Sequence, residues 1–310
     1  MTTFYNPMPV AATTFTSDSY TGGSVPASFD AFLYKPIDWG QLKLTIRLRI
    51  KLRQLPPKPI PIQLDADGKV FWTSPWTGTD WQRFIRGAAA QADMWNNKFW
   101  LLPPTTSAMF SEFDLGIIGT NQAQRPNIRC ELSVDFEATD NPHRTIDVAN
   151  LNTQMLALQG QPRDPGTFRS HALLYDSLDT VPWAFPYGPG AGQPTKHYVI
   201  AHEIGHAIGL GHIGTILKTT LCEYAIASEK LGYDRFDPNS LGGRNSFYCY
   251  GLLQGIAVVG NIMGAGDSFT VDNARPWLWA MMSMGKIPAI SAHQWRVVMT
   301  DPGPGSWVKK

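Results

Sequence analysis

Hydrophobic and polar residues alternate strictly from Leu42 to Arg53, a run of twelve positions. Period-two alternation of this length predicts a long β-strand with one buried face. The opposite face is basic, and a solvated strand surface explains it better than an acidic partner does. A second alternating run, from Arg129 to Glu137, predicts another strand, with Cys130 on its apolar face as a buried free thiol.

Helical spacing of apolar residues occurs in three places. Residues 79–96 carry one apolar stripe that begins after Thr79, a residue able to cap the first turn. Residues 272–284 also predict a helix, because Pro276 falls in its first turn, where proline is tolerated. A shorter helix is predicted for residues 291–299.

The other segments show no long period. Residues 1–35 are rich in Thr, Ser, Gly and Pro and predict a flexible N-terminal arm. Residues 141–170 and 183–194 are punctuated by proline and glycine and predict loops. Between them, residues 171–176 predict a short strand.

The composition is typical of a folded globular protein, since 43% of the 310 residues are hydrophobic and 12% are aromatic. A net charge of +1 indicates neither a nucleic acid nor an anionic membrane as partner. No apolar run reaches the roughly eighteen residues that a membrane helix needs. We therefore expect neither a nucleic-acid nor a membrane partner, and separately we expect a monomer.

Candidate chemistry is concentrated in residues 202–212, which read HEIGHAIGLGH. His202 and His206 are four residues apart, so they share one face of a helix and can both reach one metal ion. Gly209 is the kind of residue that ends a helix, and a turn there lets His212 approach from another direction. Three imidazole nitrogens leave one position of a tetrahedral ion open for water, as in catalytic zinc sites.

Glu203 directly follows the first of these histidines and can reach a water on that metal. Zinc lowers the pKa of such a water to roughly 7 and polarises a substrate carbonyl. The spacing thus predicts a zinc hydrolase in which Glu203 is the general base toward water and the general acid toward the leaving amine. A non-catalytic binding module that retains the zinc site is an alternative, but a structural site needs no base.

The segment resembles the signature of the metzincin zinc peptidases, His-Glu-x-x-His-x-x-Gly-x-x-His followed by a Met-turn. Residues 261–264, Asn-Ile-Met-Gly, lie about fifty positions after His212 and match that turn. By this resemblance Met263 is an apolar floor beneath the metal. The resemblance implies a zinc endopeptidase that binds protein or peptide in extended form along an edge strand. Residues 171–176 are the candidate for that edge, and an interior strand fits them equally well. Hydrolysis of a non-protein amide, such as a peptidoglycan cross-link, fits the same motif.

Two positions depart from the known metzincin subfamilies and leave the subfamily open. Ile213 follows the third histidine, where Ser, Asp, Glu or Pro is typical. Ala265 stands two residues after the Met-turn methionine, where some subfamilies have a tyrosine that serves as ligand or transition-state donor. Tyr248 or Tyr250 could take that part, although packing roles explain both better.

The resemblance also implies an α+β fold, in which a twisted mixed β-sheet packs on a long early helix and on the zinc-binding helix. The zinc helix is expected to begin near residue 195 or 196. Residues 36–310 then form a single metallopeptidase domain. Its upper subdomain runs to about residue 212, and its lower subdomain, residues 213–310, carries the Met-turn and a further helix.

Cys222 and Cys249 lie between the third histidine and the Met-turn, and a disulfide would close a loop of roughly 28 residues. A disulfide that closes a loop of this length stabilises the folded state by about 3 kcal/mol. Disulfide and free thiols both remain open for this pair.

Other titratable residues are interpreted as ordinary. His197 lies five residues before His202 and is expected to face elsewhere on the zinc helix. Asp18 or Asp30 could act as a carboxylate latch at the metal, but a solvated loop aspartate explains each better.

Residues 1–10 lack the basic start and apolar core of a secretory signal. A mature form, another export route or a protein that stays inside the cell would each fit. A secreted effector delivered by a dedicated machine would suit a flexible arm without a classical signal.

Overall fold

A computed structural model of the chain describes residues 9–17, 26–34, 42–57, 62–63, 70–102, 127–152, 173–185, 195–230, 249–250, 260–285 and 295–302. The strands in these ranges are β1 (Ala11–Ser17), β2 (Ala27–Tyr34), β3 (Leu42–Gln54), β4 (Ile62–Gln63), β5 (Val70–Phe71), β6 (Trp100–Leu102), β7 (Ile128–Asp135), β8 (Arg144–Ala149), β9 (Leu174–Asp176), β10 (Trp183–Phe185), β11 (Thr195–His197) and β12 (Arg296–Val298). The α-helices are α1 (Gly78–Ala92), α2 (Val199–Ala207), α3 (Ile213–Ile216), α4 (Thr220–Lys230) and α5 (Arg275–Ser283). Short 3₁₀ turns are formed by Asp93–Trp95 and Val271–Ala274.

β3 organises the main sheet, which joins eight of the described strands. It pairs with β2 in antiparallel fashion, and with β7 and then β8 in parallel fashion. β1 extends the sheet beyond β2, β6 and β12 extend it beyond β7, and β9 pairs with β8. A mixed sheet with few helices is an α+β architecture, as the sequence predicts at this level.

The alternation predicted for β3 is confirmed by its burial. From Leu42 to Ile50 every second side chain faces the core, and the residues between them are half-buried or exposed. The fully buried ones are Leu42, Leu44, Ile46, Leu48 and Ile50. β7 agrees with the second predicted strand, and Cys130 is a buried free thiol there, as expected.

An aromatic cluster joins the early helix to the C-terminal helix. The Trp95 ring lies 6.3 Å from that of Trp277 and 5.0 Å from that of Phe269. Trp277 Nε1 also donates to Glu131 O in β7 at 3.0 Å. These contacts place α1 and α5 against the same sheet. Among the helices that the structure describes, none has the length and apolar character required to cross a bilayer.

The helices agree with two of the predicted segments. α1 and the 3₁₀ turn after it run over residues 78–95, against 79–96 in the prediction, but the cap is Thr77, whose hydroxyl accepts from Asp80 N at 3.1 Å. α5 and the 3₁₀ turn before it run over residues 271–283, against 272–284 in the prediction, with Pro276 in the first turn.

The prediction of an N-terminal arm without regular structure is wrong for two segments of residues 1–35. β1 and β2 form an antiparallel pair at one side of the main sheet, and β2 contains Phe29 and Leu33 in the core. The threonines of β1 resemble loop composition, yet threonine is β-branched and favours strands once a neighbour offers pairing. Asp18 lies outside the described residues.

Three further predictions are corrected by short strands. Residues 144–149 and 183–185 are strands where loops were predicted, and residues 296–298 are a strand within the predicted helix 291–299. Two of these strands have three residues, which is too short for any period to appear. β8 and β12 pair with strands far away in the sequence, so tertiary contacts decide them, and β10 pairs with β11. Residues 153–172, 186–194 and 286–294 lie outside the described residues.

Asp30 is a buried ion-pair partner in β2, with 9% exposure, so the expectation of a solvated loop aspartate is wrong. Its carboxylate accepts from the Thr14 hydroxyl at 2.9 Å and pairs with the Arg49 guanidinium at 3.2 Å. His143 Nε2 lies 3.4 Å from the same carboxylate. The side chain therefore connects β1 to β3. Because its carboxylate already binds Thr14 and Arg49, it does not act as a latch at the metal.

Removing this carboxylate is expected to destabilise the sheet. In Asp30→Ala the half-buried Arg49 loses its counter-charge, which should lower the free energy of unfolding by roughly 2 kcal/mol. Arg83→Ala breaks the exposed pair with Asp80 in α1 and should lower it by less than about 0.5 kcal/mol. Urea unfolding of both variants, followed by circular dichroism, measures the difference. If the two variants lost the same free energy of unfolding, Asp30 would not be the buried ion-pair partner that stabilises the sheet.

Candidate metal centre

The metal-site helix α2 is buried along its whole length, so its first backbone N–H groups need partners inside the protein. Gln91 of α1 supplies them. Its Oε1 accepts from Ile200 N at 3.0 Å and from Ala201 N at 3.2 Å, and its Nε2 donates to Asp179 O at 2.7 Å. A side chain from another helix therefore caps α2.

The C-terminal end of α2 reverses the chain as predicted. Gly209 has a φ of 101°, a left-handed conformation that suits glycine. Leu210 N donates to Gly205 O at 2.9 Å and Gly209 N to His206 O at 3.0 Å. This pair of bonds is a Schellman motif, and it directs the chain so that His212 returns to the helix.

The three predicted histidines meet at one point. The candidate ligand atoms of His202, His206 and His212 all lie within 4.8 Å of one another, and all three side chains are buried. His202 Nδ1 lies 2.7 Å from Ile262 O, and His206 Nδ1 lies 2.8 Å from Leu210 O. A carbonyl oxygen can only accept, so each Nδ1 carries the proton. The Nε2 lone pairs of these two rings are then available to a metal.

The residues present fit a divalent metal ion. His206 Nε2 and His212 Nε2 are 3.2 Å apart, and the buried Nε2 of His202 has no hydrogen-bond partner in the described part of the chain. Burial lowers the pKa of His202 to about 4, partly offset by its bond to Ile262 O. Burial, with the neighbouring histidines, lowers the pKa of His206 well below its ordinary value. Neutral imidazoles are the form that binds metals.

Glu203 is buried on α2, next to the first histidine. Burial raises the pKa of its carboxyl to about 8, and the positive charge of Arg144 opposes that rise. A carboxyl that can hold or release a proton near neutral pH is a common feature of catalytic sites. Arg144 is also buried, and its guanidinium donates to Pro26 O at 3.1 Å.

The predicted Met-turn contacts both ends of the histidine segment. A Cβ on Gly205 would overlap Met263 Sδ and would lie 3.0 Å from Met263 Cε and from the Trp95 ring. Met263 thus packs directly on the backbone of α2, between the first two histidines. Ile213 N, just after the third histidine, donates to Met263 O at 2.9 Å.

A pair of buried asparagines holds this turn in shape. Asn261 Oδ1 accepts from Met263 N at 2.8 Å, and Asn261 O accepts from Gly264 N at 2.8 Å. Asn261 Nδ2 donates to Asn273 Oδ1 at 2.9 Å, and Asn273 Oδ1 also accepts from Thr270 N at 2.8 Å. The turn is therefore anchored to the segment that leads into α5.

Cys222 and Cys249 form a disulfide, which is one of the two states left open by the sequence. Tyr250 follows the second cysteine, and its ring centroid lies 4.0 Å from that of His212. Tyr248 lies outside the described residues.

The expectation for His197 is wrong, because α2 begins at Val199 and not near residue 195. His197 ends β11 instead, and its buried ring lies 5.3 Å from that of His202. Gln91 and Asn273 were not predicted as site residues. Gln91 had one sequence signal, since a polar residue at that position interrupts the apolar stripe of α1.

Loss of the Gln91 cap should destabilise α2. In Gln91→Leu the buried N–H groups of Ile200 and Ala201 lose their acceptor, and we expect the free energy of unfolding to fall by roughly 2 to 3 kcal/mol. Gln82→Leu on the exposed face of α1 is the matched control and should change it by less than about 0.5 kcal/mol. Denaturant unfolding measures both variants. A Gln91→Leu protein as stable as the control would refute the capping role.

The contact between α2 and the Met-turn predicts whether Gly205→Ala raises or lowers the melting temperature. Alanine usually stabilises a helix relative to glycine by about 1 kcal/mol. Gly205→Ala should instead lower the melting temperature, because the new methyl group overlaps Met263. Gly78→Ala in α1, where a Cβ meets nothing within 4 Å, should leave it equal or raise it. Differential scanning fluorimetry compares the two, and stabilisation by Gly205→Ala would contradict the packing.

Comparison with known proteins provides no relative from which an activity could be transferred. No protein-family model matches this chain, and neither a curated protein nor a solved structure does. The functional argument therefore depends on the residues of the metal centre.

Proposed function

We propose that this protein is a zinc-dependent endopeptidase of the metzincin type. The observation that carries the proposal is the convergence of three buried imidazoles, with ligand atoms within 4.8 Å of one another. In the described residues this group offers three ligands, the number that catalytic zinc sites use when one position stays open. Imidazole nitrogens also suit zinc, whereas magnesium and calcium prefer oxygen ligands.

The surroundings of the histidines support the metzincin type. Met263 packs on Gly205, which stands between His202 and His206 in the helix. An apolar side chain at this place keeps water away from the protein side of the metal centre. The α+β order of elements from β3 to α5 is compatible with the same proposal.

Zinc, when bound, lowers the pKa of a water to about 7 and polarises the scissile carbonyl. Glu203 performs the proton transfers. Its carboxylate takes a proton from the attacking water as the C–O bond forms, and donates it to the amide nitrogen as the C–N bond breaks. The products are a carboxylic acid and an amine, and Glu203 returns to its starting form. His202 and His206 keep their Nδ1 protons throughout, and each Nδ1–H donates to a backbone carbonyl oxygen.

The proposed substrate is a protein or peptide in extended conformation. β9 pairs with β8 on one side and with no other described strand on the other side. β9 has three residues, all buried, and Asp176 N already donates to Asp179 Oδ2 at 2.7 Å. Pairing of a substrate strand would therefore use the backbone groups near Leu174.

Glu203→Gln separates metal binding from catalysis. Glutamine has nearly the same shape but cannot accept the proton, so cleavage should fall roughly 10²- to 10⁴-fold while zinc content stays at the wild-type level. Plasma mass spectrometry measures the zinc, and mapping of cut sites on a mixed proteome measures the cleavage. His206→Ala is the companion variant and should lose both.

Three outcomes would count against the proposal. Full cleavage by Glu203→Gln would remove its assigned role. A wild-type protein that releases fragments from peptidoglycan but cuts no protein would favour the non-protein amide hydrolase. A wild-type protein that binds no zinc after incubation with the ion would overturn the proposal altogether.

A further inference from the structure

An aromatic ring covers the third histidine of the metal centre. The Tyr250 ring centroid lies 4.0 Å from that of His212, with 32° between the ring planes. The same ring is nearly parallel to His202, at 5.7 Å and 5°. Ring pairs at such separations attract each other in addition to the burial of their area. Tyr250 therefore forms one wall of the site.

His212 reaches the site in a different way from the other two histidines, which belong to α2. It lies beyond the turn at Gly209 and immediately precedes α3. Its backbone is fixed by three bonds. Ile213 N donates to Met263 O at 2.9 Å, and His212 O accepts from Thr215 N at 2.9 Å and from Ile216 N at 3.0 Å. These bonds hold the backbone, whereas the two side-chain torsions of the imidazole are set by what contacts the ring itself, which includes His206 Nε2 at 3.2 Å from His212 Nε2. A contact on the face of the ring restricts rotation about those torsions.

Tyr250 is held against the same segment by its neighbour Cys249. Gly214 N donates to Cys249 O at 2.8 Å, and the Cys249 sulfur is bonded to Cys222 in α4. Both cysteines are fully buried. Because α3 and α4 directly follow the histidine in sequence, the disulfide ties the tyrosine to the segment that carries His212.

We propose that Tyr250 is a positioning residue for metal binding. Its ring, anchored through the Cys222–Cys249 disulfide, keeps the His212 imidazole turned toward the other two histidines. The role belongs to the ring and not to the hydroxyl, and it rests on the proposed function only through the metal site. It assigns a part in that site to a segment outside both the histidine motif and the Met-turn.

The test is the affinity of the full-length protein for Zn²⁺ alone, measured by competition with a chromophoric chelator. Tyr250→Phe keeps the ring and should bind within about twofold of wild type. Tyr250→Ala removes the ring and should bind roughly 10- to 100-fold more weakly, the usual effect of losing a group that orients a metal ligand. Tyr224→Ala, which changes an exposed tyrosine of α4, is the matched control and should leave the affinity unchanged.

The disulfide is tested by a double-mutant cycle with the same readout. Replacing Cys222 and Cys249 together by alanine should weaken Zn²⁺ binding in the wild-type background. In the Tyr250→Ala background the same replacement should have no further effect, because the group that it positions is already missing. Losses that simply add would overturn the disulfide as the anchor.

Each outcome discriminates between this inference and the proposed function. Wild-type affinity in Tyr250→Ala overturns the inference and leaves the hydrolase proposal intact. Loss of affinity in Tyr250→Phe equal to that in Tyr250→Ala assigns the role to the hydroxyl and also overturns it. A wild-type protein that binds no Zn²⁺ overturns both. Should Tyr250→Ala fail to fold by circular dichroism, Tyr250→Leu replaces it, with the same expected loss.

Discussion

The candidate metal centre depends on two hydrogen bonds that imidazole nitrogens donate to backbone carbonyls. His202 Nδ1 donates to Ile262 O and His206 Nδ1 to Leu210 O, so each ring keeps one proton and turns its other nitrogen toward the centre of the site. Burial acts in the same direction, because it lowers the pKa of both rings and keeps them neutral. Histidines in water would begin to protonate near pH 6.5 and would turn freely. The site therefore requires an enclosing protein.

That enclosure is built from parts of the chain that are distant in sequence. Gln91 accepts hydrogen bonds from the first backbone N–H groups of α2, and the Asn261–Asn273 pair shapes the turn that carries Met263. Met263 in turn occupies the space left by the missing side chain of Gly205. Since the same contacts hold the fold together and orient the three histidines, any metal that binds them would be coupled to folding. An ion that binds only the folded site stabilises the fold.

Hydrophobic periodicity predicted the elements whose burial alternates regularly. It failed for strands that form only because a neighbouring strand pairs with them. β3 alternates because one of its faces is buried from Leu42 to Ile50. β1 shows no apolar alternation, since its threonines look polar although their branched side chains favour strands. β10 and β12 have three residues each and become strands only through a partner. The position of His197 was predicted wrongly for a related reason: the start of α2 carries no side-chain cap of its own.

The sequence by itself determined the chemistry of the candidate site. Helical geometry brings residues four apart together, and a glycine permits the left-handed turn, so His202, His206 and the return of His212 depend on near neighbours alone. Tertiary structure decided which nitrogen of His202 carries the proton, how α2 is capped, and which ring faces His212. Those features are contacts between residues separated by tens of positions, and no local pattern encodes them, because packing selects them only when the whole chain has folded.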